Sequence, residues 1–195
     1  MNKLNINYVS LSRIASHALR HEPWLYELEL DDEGWVPVEE LLSALRAEKP
    51  EWSSLSEADL NEMIAASDKK RHELRDGKIR ALYGHSVPDK LLKQPAEPPA
   101  VLYHGTSPEM AVLIKASGLQ PMSRQYVHLS VDTATAEQVG RRKARAPVLL
   151  EVRAKLAAES GVPFYRGNDL VWLADQVPAQ FIMFPKKGTD LFSLL

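Results

Sequence analysis

Cysteine is missing altogether, which excludes disulfides, thiolate zinc sites and a cysteine nucleophile. No Gly-Lys-Ser/Thr of a phosphate loop, no Gly-x-Gly-x-x-Gly, no His-Glu-x-x-His and no Gly-x-Ser-x-Gly occurs. P-loop, Rossmann, zincin and serine-elbow chemistry therefore have no support. No apolar run approaches the ~20 residues of a membrane span, and Met1-Asn2-Lys3-Leu4-Asn5 has no basic region leading into an apolar core. The sequence reads as that of a soluble cytoplasmic protein. A large charge excess is lacking too: the net charge of −2 argues against a generally basic nucleic-acid binder.

What is present is enough chain for a real core. The 195 residues are 45% hydrophobic and 26% charged, which suits one domain or, better here, two small lobes. Charge is unevenly placed: residues 1–100 carry 13 Lys+Arg against 18 Asp+Glu, and residues 101–195 carry 11 against 8. Two short basic runs, Lys69-Lys70-Arg71-His72 and Arg141-Arg142-Lys143-Ala144-Arg145, stand out. Taken alone, each reads as a solvated face.

Apolar residues at Tyr8, Leu11, Ile14, Ala15, Ala18 and Leu19 recur as on one face of a helix. Pro23 disfavours helical geometry at Glu22, so this helix ends beside Arg20 and His21. By itself Arg20 is a cation complementing the helix macrodipole. Leu28–Leu30 and Trp35–Val36 flank Asp31-Asp32-Glu33-Gly34 and read as a short hairpin. A second helix spans Val38 to Arg46, with Leu41, Leu42 and Leu45 on one side. Ser56-Glu57-Ala58-Asp59 forms a capping-box variant with Leu55 and Leu60 as staple, opening a third helix that runs to about Ala66. Arg71–Leu74 and Lys78–Leu82 flank Asp76-Gly77, a hairpin signal. Helices followed by a hairpin are the pattern of a winged helix.

Pro88, Pro95, Pro98 and Pro99 mark a linker over residues 87–99, separating lobes at 1–86 and 100–195. In the second lobe, Val101–Tyr103, Tyr126–Leu129, Val148–Val152, Val171–Leu173 and Phe181–Phe184 read as strands. Ser107-Pro108 starts a helix that Gly118 stops. Thr133 caps a further helix ending near Arg142. The fold class is α+β, with a β-rich second lobe.

His104-Gly105-Thr106-Ser107 falls where a strand ends and a helix begins, so backbone amides, a hydroxyl and an imidazole converge at a positive helix end. Such a corner suits pyrophosphate or ribose, although for the bare tetrapeptide a plain turn with a Ser cap is the more ordinary reading. His128 and Ser130 lie two apart on a strand and share a face. For His128 alone, a satisfied core histidine is the ordinary reading.

In order along the chain stand Leu19-Arg20-His21-x-Pro23, Asp32-Glu33-Gly34-Trp35-Val36, Ser67-Asp68-Lys69-Lys70-Arg71, Ile79-Arg80-Ala81 with Gly84-His85-Ser86, and Tyr103-His104-Gly105-Thr106. Arg124 with Tyr126-Val127-His128-Leu129-Ser130, then Val139-Gly140-Arg141-Arg142 and Val171-Trp172-Leu173, complete the series. This succession, over about residues 8–184, resembles the RNA 2'-phosphotransferase family (KptA type). The resemblance implies a winged-helix RNA lobe joined to an NAD-binding lobe like that of ADP-ribosyltransferases. It implies removal of an internal 2'-phosphate from RNA, as left by some tRNA ligation pathways, by transfer to NAD. The family's catalytic Arg-His-Arg-Arg set falls on Arg20, His21, Arg71 and Arg142, the last through Val-Gly-x-Arg. His104, Gly105, Thr106, Arg124, His128 and Ser130 are carried over as the NAD pocket, and no metal is implied. The chain departs from the family with His72 where Phe is usual, Tyr83 where Gln usually precedes Gly84, and Lys143-Ala144-Arg145-Ala146-Pro147 in place of Gly-x-Pro.

The implied reaction suits these residue types. A 2'-phosphate monoester, with a second pKa of about 6, is close to dianionic at neutral pH and needs positioning rather than a base. Its attack on the nicotinamide-ribose carbon releases nicotinamide and leaves ADP-ribosylated RNA. Attack by the ribose 2''-hydroxyl on the bridging phosphate then expels RNA bearing a 2'-hydroxyl and gives ADP-ribose 1'',2''-cyclic phosphate. Arginine stays charged and offers a planar fork to phosphate oxygens. Arg20 is expected to hold the 2'-phosphate, and Arg71 and Arg142 to act in the second step. His21 is read either as general acid to the leaving oxygen or as a hydrogen-bond donor. A mono-ADP-ribosyltransferase acting on nucleic-acid terminal phosphates or protein is the alternative, and a non-enzymatic nucleic-acid binder the other class.

Overall fold

The computed structural model describes residues 6–185. The N-terminal pentapeptide read above for targeting lies outside them. The chain divides into two compact units, Met1–Lys93 and Gln94–Leu195.

In the first unit, helix α1 (Tyr8–Arg20) is capped by Asn7, whose side chain accepts the Ser10 N–H at 3.0 Å. Helix α2 (Val38–Glu48) follows strand β1 (Val36–Pro37) directly, with Glu39 and Glu40 in its first turn, where they complement the positive helix end. Helix α3 (Glu57–Ala65) carries the expected capping box, with Asp59 accepting from the Ser56 N–H at 2.8 Å. Strands β2 (His72–Arg75) and β3 (Lys78–Ala81) form the expected hairpin about Asp76-Gly77. The three strands make an antiparallel sheet in the order β1-β3-β2. Leu11 and Leu19 of α1, Leu41, Leu42 and Leu45 of α2, Leu60 and Met63 of α3 and Ile79 of β3 meet in one buried core. Each such side chain contributes about 1.5–3 kcal/mol on leaving water.

The hairpin expected between residues 28–30 and 35–36 does not form. Asp31 Oδ1 accepts the N–H groups of Glu33 and Trp35 at 3.1 and 2.8 Å, so its side chain closes the turn. Val36 pairs with Ile79 of the distant hairpin, and residues 28–30 make no strand. A local side-chain bond and a longer-range apolar partner together outweigh the adjacent pairing.

In the second unit, strand β4 (Leu102–Thr106) leads into helix α4 (Pro108–Ser117), which Ser107 caps and Gly118 stops at φ +74°. Strand β5 (Val127–Ser130), helix α5 (Thr133–Gly140), strand β6 (Val148–Val152), helix α6 (Ala154–Glu159), strands β7 (Phe164–Arg166) and β8 (Val171–Ala174), and strand β9 (Ile182–Met183) follow. All pair antiparallel in the order β7-β8-β5-β4-β6-β9, which establishes the α+β class. Leu102, Ile114, Leu129, Leu150, Val152 and Phe164 centre its core. The α5 cap is Asp132 rather than Thr133: its carboxylate accepts the Thr135 N–H at 2.6 Å and places Thr133 inside the helix. The last strand is shorter than read, because residues Ala179–Phe181 form a 3-10 turn that buries Phe181. Helix α6 and strand β7 are elements the sequence reading does not contain.

Candidate active site

The buried stripe of Leu11, Ala15, Ala18 and Leu19 fixes the rotation of α1, and this places Arg20 in its last turn with His21 as its C-terminal cap. Arg20 Nη2 donates to the Arg71 carbonyl oxygen at 3.3 Å. The Arg20 guanidinium also lies 5.1 Å from the centre of the Tyr83 ring, a cation–π contact. The Arg71 carbonyl accepts the Leu82 N–H as well, at 2.9 Å. The Arg71 side chain is held through Nη1, which donates to Ser67 Oγ at 3.3 Å, while that hydroxyl donates to the Lys69 carbonyl at 2.8 Å.

Ser86 fastens the helix end from the other side. Its N–H donates to the Arg20 carbonyl at 2.9 Å, satisfying one of the acceptors a helix leaves at its C-terminus. Its hydroxyl shares a 2.8 Å hydrogen bond with His21 Nδ1. One turn earlier, His17 bonds the Tyr26 hydroxyl at 3.0 Å and lies 2.9 Å from the Glu22 carboxylate, which shapes the chain leaving the helix. The structure thus brings Arg20, His21 and Arg71 together within one unit.

His72, next to Arg71, is 4% exposed, and its Nε2 shares a 3.1 Å hydrogen bond with Ser16. Burial first, then the nearby charges of Arg20 and Arg71, push its pKa down to about 3. The ring is neutral at ordinary pH and marks where both guanidiniums act together.

In the second unit, His104 of β4 bonds the His128 carbonyl at 3.0 Å through Nδ1. Burial lowers its pKa, with a smaller contribution from Lys143, so the ring stays neutral, with Nδ1 as the donor nitrogen. His128 in turn donates through Nδ1 to the Tyr126 carbonyl at 2.9 Å, with Arg124 Nη1 3.5 Å from its Nε2. His128 is therefore a half-exposed, backbone-anchored ring on β5. Ser130 pairs with Tyr103 across the sheet and is buried, as is Thr106. Ser107 accepts the Met110 N–H at 3.3 Å and so ends the His104–Ser107 corner at the start of α4.

Gly105 and Gly140 explain how α5 reaches this corner. A Cβ on Gly105 would stand 1.9 Å from the Ala136 carbonyl oxygen and 3.0 Å from Gly140 N. A Cβ on Gly140 would stand 3.1 Å from the Gly105 carbonyl carbon. Two backbones meet here with no room for side chains. The contact fixes the end of α5, from which exposed Arg141 and Arg142 continue as a turn closed by bonds to the Val139 and Gly140 carbonyls.

Of the residues read as a site, Arg20, His21 and Arg71 belong to the first unit, and Arg142, His104, Gly105, Thr106, Arg124, His128 and Ser130 to the second. Ser16, Ser67, Tyr83 and Ser86, which hold the cationic side chains or their neighbours, carry no role in the sequence reading. Three of them do carry a signal: Ser67 opens Ser67-Asp68-Lys69-Lys70-Arg71, Ser86 closes Gly84-His85-Ser86, and Tyr83 is a departure from the family pattern. Two departures from the family pattern acquire explanations: Tyr83 lies against Arg20, and His72 is internal.

The amino-acid sequence is similar to those of named proteins. Residues 7–176 match the family model "RNA 2'-phosphotransferase, Tpt1 / KptA family". A "Probable RNA 2'-phosphotransferase" of Bacillus thuringiensis subsp. konkukian is 55% identical over 186 residues, covering 95% of this chain and 100% of that protein. Proteins of the same name from Acetivibrio thermocellus and Rhizobium rhizogenes are 55% and 41% identical, covering 92% of this chain and 98% and 95% of theirs. The chain belongs to the RNA 2'-phosphotransferase, Tpt1 / KptA family.

Proposed function

We propose that this protein is an NAD-dependent RNA 2'-phosphotransferase, a transferase that removes an internal 2'-phosphate from RNA of the kind some tRNA ligation pathways leave. In this reading NAD is a co-substrate consumed in the reaction, no metal takes part, and the protein works in the cytoplasm. The observation that carries it is the convergence of Arg20, His21 and Arg71 at the end of α1. Two guanidiniums whose charges both act on His72, beside the helix end that His21 caps, suit a phosphate dianion, and family membership supplies the reaction.

The first unit is then the RNA lobe, its three helices and small sheet acting as a winged helix, and the second is the NAD lobe of ADP-ribosyltransferase type. Arg20 binds the 2'-phosphate, with its fork set by the Arg71 carbonyl and the Tyr83 ring. Arg71 and Arg142 neutralise the charge that builds on phosphoryl oxygens in the second step. His21, oriented through Nδ1 by Ser86, donates a hydrogen bond or a proton to the leaving oxygen.

The residues assigned to NAD fit its chemistry. Neutral His104, the backbone-anchored ring of His128, the hydroxyls of Thr106 and Ser130 and the start of α4 offer hydrogen bonds suited to ribose, while Arg124 suits a phosphate. Gly105 keeps the backbone bare where α5 crosses β4.

The test is purified protein with NAD and an oligonucleotide carrying one internal 2'-phosphate. Nicotinamide release, RNA with a free 2'-hydroxyl and ADP-ribose 1'',2''-cyclic phosphate are the expected products. Absence of both phosphate loss and nicotinamide release would refute the proposal. Faster turnover of a terminal phosphate or a protein acceptor would favour a mono-ADP-ribosyltransferase.

A further inference from the structure

The Ser16–His72 contact joins α1 to the start of β2, next to Arg71. Ser16 lies one helical turn before Arg20 on α1, so the two side chains emerge from the same face. His72 follows Arg71 and opens β2, where it pairs with Ala81. Helix and strand are therefore joined twice within one turn, by the 3.1 Å Ser16–His72 bond and by the 3.3 Å bond from Arg20 to the Arg71 carbonyl. The first of these bonds ties α1 to β2, the strand that Arg71 leads into.

We propose that His72, acting through Ser16, is a positioning residue that sets the spacing of the Arg20 and Arg71 guanidiniums for a phosphate dianion. The inference rests on the phosphate-binding reading above. A neutral ring is what the place needs, because a charged one would put a third cation beside the two guanidiniums. The ring is held neutral by its burial and by Arg20 and Arg71 themselves. Phenylalanine would fill the same space and leave Ser16 with no ring nitrogen to bond. Glutamine would return a polar atom close to the place of Nε2.

The test compares full-length wild type with Ser16→Ala, His72→Phe, the double variant and His72→Gln. Fluorescence anisotropy without NAD measures how much each prefers a 2'-phosphorylated oligonucleotide over its 2'-hydroxyl counterpart, and thermal unfolding is followed alongside. Wild type is expected to prefer the phosphorylated RNA. Each single variant should lose about tenfold of that preference, as a misplaced binding group does. The double variant should lose no more than either single one, and His72→Gln should recover most of it. KM for NAD should stay unchanged.

A wild-type preference that survives in His72→Phe overturns the inference and leaves the phosphate-binding reading standing. Loss of preference only in step with a lowered melting temperature, or losses that add in the double variant, also overturn it. No preference in the wild-type protein overturns both.

Discussion

Gly105 of β4 and Gly140 at the end of α5 touch backbone to backbone, and a Cβ on Gly105 would reach within 1.9 Å of the Ala136 carbonyl oxygen. The atom in the way is main chain, which does not yield as a flexible side chain does. Gly105→Ala should therefore push α5 off the sheet and destabilise the second unit by about 3 kcal/mol or more, at the upper end of overpacking costs. Thermal unfolding measures the loss, and nicotinamide release should fall with it. A variant as stable as wild type would show that α5 relocates freely.

Arg142 is exposed at the end of that same helix, so Arg142→Ala should leave stability within about 0.5 kcal/mol of wild type. Under the proposed division of labour it should accumulate ADP-ribosylated RNA. Denaturing gel analysis with mass spectrometry of the RNA reads this directly. Failure to form the intermediate would move Arg142 into the first step.

His72 gives a stability prediction with a definite sign. Its folded pKa, about 3, lies below the ordinary value of 6.5. The unfolded chain therefore takes up a proton near pH 6.5 that the folded chain refuses. The His72 contribution is intact above pH 6.5 and is lost progressively as pH falls from 6.5 toward 3. By pH 5 the loss is on the order of 2 kcal/mol. His72→Phe should lack this part of the acid sensitivity, as chemical denaturation at pH 7 and pH 5 would show. Equal acid sensitivity in both proteins would place the proton elsewhere.

The elements that the sequence displays well are those whose signal is local. The stripe from Tyr8 to Leu19, the capping box at Ser56 and Asp59, the Asp76-Gly77 hairpin and the Ser107-Pro108 helix start all use neighbouring residues, and all form. The Asp31 turn misleads because an Asx bond imitates a hairpin turn while Val36 pairs with Ile79, 43 positions away. Thr133 and Asp132 are both good caps, and only backbone geometry decides between them. Strand β7 has three residues, too few to show a period.

The same holds for the candidate site. Arg20, His21 and Arg71 are legible as types, but what holds them is not. Ser86 reaches His21 across 65 positions and Ser16 reaches His72 across 56, and serine is too common to announce such contacts. Gly105 and Gly140 are legible as glycines, yet nothing in either tetrapeptide says that they face each other.

The segment after the unit boundary has a further consequence for anyone handling the second unit alone. Strand β7 lies at one edge of the six-stranded sheet, and Pro95 bridges to Tyr165 while the Ala96 N–H donates to the Phe164 carbonyl at 2.8 Å. The proline-rich stretch thus works as a guard rail. Proline presents no amide hydrogen for a neighbouring molecule to grasp, so it blunts a border that would otherwise recruit foreign strands. A fragment begun at residue 100 would bare that border and tend to aggregate, whereas one begun at Gln94 would keep its own protection.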